Sequence, residues 1–169
     1  MRSCAECRSC CNVFPLPAID KPAYEWCRNL GPAGCAVHQR GQPEVCRRYS
    51  CYWLDHEETP EEYRPDRAGL VVTECGAVTV GGHELPVLVV NLLEPSSDRS
   101  PAAQAMLEGF QEAGWAALLL HGPDMRIAYD RKRYAMIAPE DIEAAFKHER
   151  SKDAEELRRL GAVDESFLL

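Results

Sequence analysis

The chain has 169 residues, a formal net charge of −8 at pH 7, 46% apolar residues and nine cysteines. That balance excludes a disordered tail and suits one ordinary domain, or a small module joined to a compact one. No run of about 18 apolar residues occurs, and the first positions carry cysteines where a secretory leader would be apolar, so the expectation is a soluble, cytoplasmic protein with no membrane partner.

In chain order, the first feature is CAECRSCC, with Cys4, Cys7, Cys10 and Cys11 in eight positions. Cys27, Cys35, Cys46 and Cys51 follow, and only Cys75 lies beyond residue 51. In a secreted chain this density would suggest disulfides. In a reducing cytosol, metal ligation by thiolates is the better account. Residues 1–51 carry seven Lys/Arg against four Asp/Glu, a formal +3, and the remainder stands at −11. Four thiolates around a divalent ion leave two net negative charges, which nearby Arg and Lys would offset while helping to keep the thiols ionised.

Cys4-x2-Cys7-x2-Cys10 holds two overlapping C-x2-C units, each able to turn two sulfurs toward one ion. Neighbours such as Cys10 and Cys11 are expected to point apart, which suggests two adjacent centres or one centre with a spare thiol. The rival is an iron–sulfur cluster, because C-x2-C-x2-C opens the bacterial ferredoxin run. That run continues with three residues, a cysteine and a proline, whereas Cys11 follows Cys10 directly here. Between the cysteines, Asp20 and Pro22 predict the cap and first turn of a helix carrying Tyr24, Trp26 and Cys27. Gly31, Pro32 and Gly34 make a loop that brings Cys35 round, and Pro43 starts a short helix bearing Cys46. Trp26, Tyr49, Tyr52 and Trp53 are expected to form a small core around the metal. His38, three residues after Cys35, is read as an exposed or packed histidine, with mixed ligation as the alternative. Cys75, on a predicted strand, is expected to be a small buried apolar residue.

The order C-x2-C-x2-C-C, then Trp26-Cys27, Gly34-Cys35, Pro43-Glu-Val-Cys46-Arg and Cys51-x-Trp53-Leu, resembles the bacterial CxxCxxCC family, a zinc- or iron-chelating domain. The likeness covers residues 4–54. Gln42 stands where members commonly carry an arginine before the proline, and Ser9 where they carry a glycine. The resemblance implies a metal-chelating domain. Some relatives are linked to protein methylation, and no residue here marks a methyl-donor site.

Around Pro60 the turn-rich residues 59–68 read as a linker or docking segment between a cysteine-rich domain over 1–58 and a second domain over 69–169. Residues 69–95 predict strands separated by a Gly81-Gly82 turn, with Val87 to Leu93 most buried. Ser100 and Pro101 predict the cap and first turn of a helix through about Ala113, with Met106, Leu107 and Phe110 on one face and Gly114 as its stop. Trp115 to Leu120 reads as a buried strand, and Met125 to Tyr129 with Arg133 to Ile137 as a further pair. Pro139 begins a helix with Ile142, Ala145, Phe146 and Glu149 at helical spacing, and Asp153-x-x-Glu156 predicts the capping box of a last helix ending at Gly161. The fold class is therefore α+β, a small irregular cysteine-rich segment followed by roughly ββαββαα.

No P-loop, G-x-G-x-x-G, G-x-S-x-G or H-E-x-x-H occurs, so no catalytic residue is assigned. His83 and His121 flank turns and read as solvated, with a role as ligand or base as the alternative. Arg131-Lys132-Arg133 in an acidic chain reads as a solvated turn, so no nucleic-acid partner is expected. Three functions remain. The first is a protein chelating Zn, or Fe, through Cys4, Cys7, Cys10, Cys11, Cys27, Cys35, Cys46 and Cys51. The second is an iron–sulfur redox or radical enzyme. The third is an interaction module with structural zinc, meeting a protein partner through the acidic C-terminal domain. Structural zinc is the physical default, because so few apolar residues lie between the cysteines.

Overall fold

The computed structural model describes Arg2 and residues 7–32, 34–38 and 40–148. Its fold class is α+β, with a four-stranded mixed sheet behind an irregular N-terminal segment. That segment holds the short helix α1 (Cys10–Val13), a two-stranded ribbon of β1 (Leu30–Gly31) and β2 (Gly34–Cys35), and helices α2 (Glu44–Arg48), α3 (Tyr52–Asp55) and α4 (Pro65–Ala68).

The main sheet begins as a long hairpin of β3 (Leu70–Val80) and β4 (His83–Leu92). Gly81 and Gly82 both take positive φ, +57° and +81°, as a two-residue turn matched to strand twist requires. Helix α5 (Pro101–Glu112) then carries the chain to β5 (Ala116–His121), which pairs parallel to β4, and β6 (Asp124–Ala128) closes the order β3-β4-β5-β6. Ser100 caps α5 by accepting the Ala103 N–H at 3.1 Å. At the other end Gly114, at φ +90°, lets its own N–H reach Gln111 O and that of Trp115 reach Phe110 O, satisfying carbonyls the helix would leave orphaned.

Strand alternation divides the core. Leu70, Val72, Leu88, Val90 and Leu119 face α5, where they meet Ala103, Met106, Leu107 and Phe110. On the opposite face Val80, Leu85, Val87 and Leu118 pack on Ile142 and Phe146 of α6 (residues 139–148). The same face of β3 presents Val71 to Val13, Cys51 and Trp53, so the N-terminal segment is seated directly on the sheet. Each such aliphatic side chain contributes about 1.5–3 kcal/mol by leaving water.

The segment over 59–68 is structured. A 3-10 turn over Glu61–Tyr63 leads into α4, and Arg64 donates from Nε and NH2 to the two oxygens of Asp66 at 2.7 and 2.9 Å. These bonds hold the Asp66 carboxyl below its ordinary value, against the opposing effect of burial. Because the folded value is the lower one, the contribution, about 1 kcal/mol, is complete above the unfolded carboxyl value of about 3.9 and is lost as pH falls through the folded value. Asp66→Asn is therefore expected to lower the urea midpoint between pH 6 and 8, by the equivalent of about 1 kcal/mol, and to flatten the acid limb so that the two proteins converge below about pH 4. An unchanged acid limb would refute the pairing.

Four expectations are corrected. No helix begins at Pro22. Asp20 and Tyr24 both take left-handed backbone conformations, φ +48° and +59°, and Leu16 bridges to Lys21 as a tight loop, so residues 22–29 turn instead of coiling. Residues 133–137 are not a strand. The Asp130 carboxylate accepts the N–H groups of Lys132 and Arg133 at 2.8 and 3.2 Å, and Tyr134 N–H returns to Asp130 O, which winds the chain into turns. Cys75 is exposed, because Cys75 and Gly76 together face Val87 in a β-bulge that interrupts alternation on the edge strand. Trp26 is 60% exposed and no part of a core, although Trp53 is buried and Tyr49 and Tyr52 are packed against clusters. The predicted helix after Asp153 lies outside the described residues, as does Glu149.

Candidate metal centre

The cysteines fall into two environments. Cys10 and Cys11 open α1, Cys27 lies in the loop after Tyr24, Cys35 ends β2 and Cys46 is inside α2. A backbone bond from Cys27 N–H to Cys11 O, 3.0 Å, ties the first two segments together. Burial pushes the Cys46 thiol up, and the charges of Cys11, Cys27 and Cys35 push it further in the same direction. Three thiols from three other segments are therefore within electrostatic reach of Cys46. Cys10 joins them by hydrogen bonding to Cys11, which draws the Cys11 thiol down to about 7 against the effect of burial, with help from Lys21 and Arg8.

The expectation that Cys10 and Cys11 point apart is thus corrected. Consecutive side chains diverge by about 180° only on a strand, and on the helical turn of α1 they diverge by about 100°, which leaves the two sulfurs in reach.

The other cysteines have different neighbours. Cys7 is buried beside Ser9, whose Oγ lies 3.7 Å from its Sγ, and burial raises its thiol. Cys51 is buried at the N-terminal end of α3 among Val13, Trp53 and Val71. Cys4 lies outside the described residues. His38 is exposed, as expected.

Sequence reasoning counted Lys21 only as one positive charge. Its side chain is the centrepiece of the loop, with the residue only 6% exposed. Nζ donates to Asn12 O at 2.9 Å, to Pro22 O at 2.8 Å and to Phe14 O, which uses all three of its protons. Burial lowers its affinity for the proton, and the nearby Cys27, Cys11, Glu25 and Cys46 oppose that effect. A fixed ammonium among thiols serves the purpose expected of the basic residues in this segment. No sequence signal marked it, because the Leu16–Lys21 bridge that closes its loop depends on a left-handed Asp20 that no local pattern demands.

Several soft donors beside a committed cation suit a thiophilic divalent ion, whose four-thiolate complex would be doubly negative. Among the described residues, no three His, Cys, Asp or Glu side chains are already gathered as a ligand set. Closure around an ion would thus require thiols now within electrostatic reach to draw closer. Also among the described residues, no helix is long and apolar enough to cross a membrane. No family model, curated protein or solved structure matches the chain.

Proposed function

We propose that the protein binds a thiophilic metal ion, Zn²⁺ in the first instance, through the thiolates of Cys11, Cys27, Cys35 and Cys46, with Cys10 as the neighbouring thiol. The observation that carries this reading is that Cys46, on a helix, lies within electrostatic reach of three further cysteines drawn from a second helix, a loop and a ribbon. The likeness of the cysteine order to the CxxCxxCC chelating domain supports the same chemistry. Bound Zn²⁺ would supply a crosslink between four segments that share little apolar surface of their own. Lys21 holds positive charge beside the thiolates, and its carbonyl bonds fix the loop that carries Cys27.

The test is elemental analysis, with an absorption spectrum, of protein purified without oxygen and without added metal. Stoichiometric zinc and a colourless spectrum are expected. Stoichiometric iron with a brown chromophore would transfer the assignment to an iron–sulfur centre, and neither metal at stoichiometric level would end the metal reading.

A further inference from the structure

A cavity of about 560 Å³ opens where the N-terminal segment meets the carboxyl ends of β4 and β5. These two strands are the parallel pair of the sheet, and the carboxyl edge of a parallel pair is where open α/β sheets characteristically receive ligands. Tyr24, Glu25 and Trp26 form one wall, and Glu94 and His121 belong to the other.

The formal charge on those walls is negative, beside the Asn12 amide and the Tyr24 hydroxyl. Glu25 and Glu94 are exposed carboxylates, and among the described residues no lysine or arginine lines the cavity. Lys21 is electrostatically close to Glu25, but its three protons are committed to backbone carbonyls. His121 donates from Nδ1 to Leu92 O, 3.0 Å away, since a carbonyl can only accept, and this bond holds its ring in the wall. Trp26 adds an indole that is 60% exposed.

These walls are held in place. Tyr24 keeps a left-handed backbone at φ +59°, donates its hydroxyl to Leu120 O at 3.1 Å and packs its ring 4.5 Å from that of His121. Immediately after Trp26, Cys27 N–H is bonded to Cys11 O. A backbone strained at one side of an exposed tryptophan and pinned at the other presents a preorganised platform.

We infer that this cavity binds a guanidinium group, stacked on Trp26 and paired with Glu25 and Glu94. A guanidinium is planar and weakly hydrated, so it can leave water for an indole face in an open site and still offer in-plane donors to carboxylates, whereas a strongly hydrated ammonium gains less there. The inference is independent of the metal reading.

The experiment is calorimetric titration of the full chain with N-acetyl-arginine methylamide, its citrulline and lysine counterparts, and a neutral hexapeptide carrying one arginine. The arginine probe is expected to saturate and to bind about tenfold or more tighter than either counterpart, with affinity falling as salt is raised. Glu94→Gln and Trp26→Ala are each expected to weaken it about tenfold, and circular dichroism and zinc content of each variant will separate loss of the pocket from loss of the fold or metal centre. Tighter binding of the hexapeptide than of the capped amino acid would place the guanidinium on a protein partner, and equal binding would assign a small guanidino compound. Equal affinity for citrulline or lysine, no saturation up to about 10 mM, or an unaffected Glu94→Gln variant would overturn the assignment.

Discussion

Cys46→Ser protein is expected to keep its sheet and to bind zinc at least about 100-fold more weakly, because Cys46 faces the charges of three other cysteines and a serine hydroxyl is a poor ligand for a thiophilic ion. Cys11→Ser, Cys27→Ser and Cys35→Ser should fall with it. Cys75→Ser should not, since Cys75 is exposed at the β3 bulge. Competition with a chromophoric chelator gives the affinities, and far-ultraviolet circular dichroism reports the fold. An equal loss in the Cys75→Ser protein would show that thiols take up metal adventitiously. Full retention in Cys46→Ser would remove that residue from the centre.

The second large effect concerns Lys21. Lys21→Met keeps most of the side-chain volume but deletes the charge and abandons the carbonyls of Asn12, Phe14 and Pro22 in a site only 6% exposed. A destabilisation of about 3 kcal/mol is expected, the cost of leaving buried polar groups unsatisfied less what the thioether recovers by packing. Urea unfolding at neutral pH measures it. A loss below about 1 kcal/mol would show that water replaces the ammonium without cost. Because Lys21 also faces Cys11, Cys27 and Cys46, the variant should hold zinc less tightly even where it remains folded.

Local signals carried the sheet domain. Gly81-Gly82, the Ser100-Pro101 start, the Gly114 stop and the apolar spacing of Ile142 and Phe146 are each short-range instructions, and the chain obeys them. Where the reading failed, a longer reach or a side-chain bond intervened. The loop around Tyr24 gives up a helix because its hydroxyl is bonded to Leu120 O, 96 residues away, and because Lys21 takes the Pro22 carbonyl that a helix would have used. Asp130 captures the amides of a segment whose alternation suggested a strand. The bulge at Cys75 follows from pairing register, which no single strand encodes.

For the candidate site, the sequence named the thiols but not their grouping. Spacing alone treats eight cysteines alike, whereas the fold puts Cys11, Cys27 and Cys35 within electrostatic reach of Cys46 and gives Cys51 to the seat on β3. The cavity beside them was illegible for a similar reason. Its walls come from Tyr24, Trp26, Glu94 and His121, four residues that no motif connects.

The bond from Tyr24 to Leu120 and the packing of Trp53 on Val71 impose an order on synthesis. Every clustered cysteine leaves the ribosome before the strands that receive its segment. At translation rates of ~5–20 residues per second, the thiols wait for several seconds without their sheet while residues 52–121 are being made. During that interval their chemistry is governed by the cell's reducing power and metal supply, and the nascent chain is most vulnerable to oxidation before its hydrophobic seat exists.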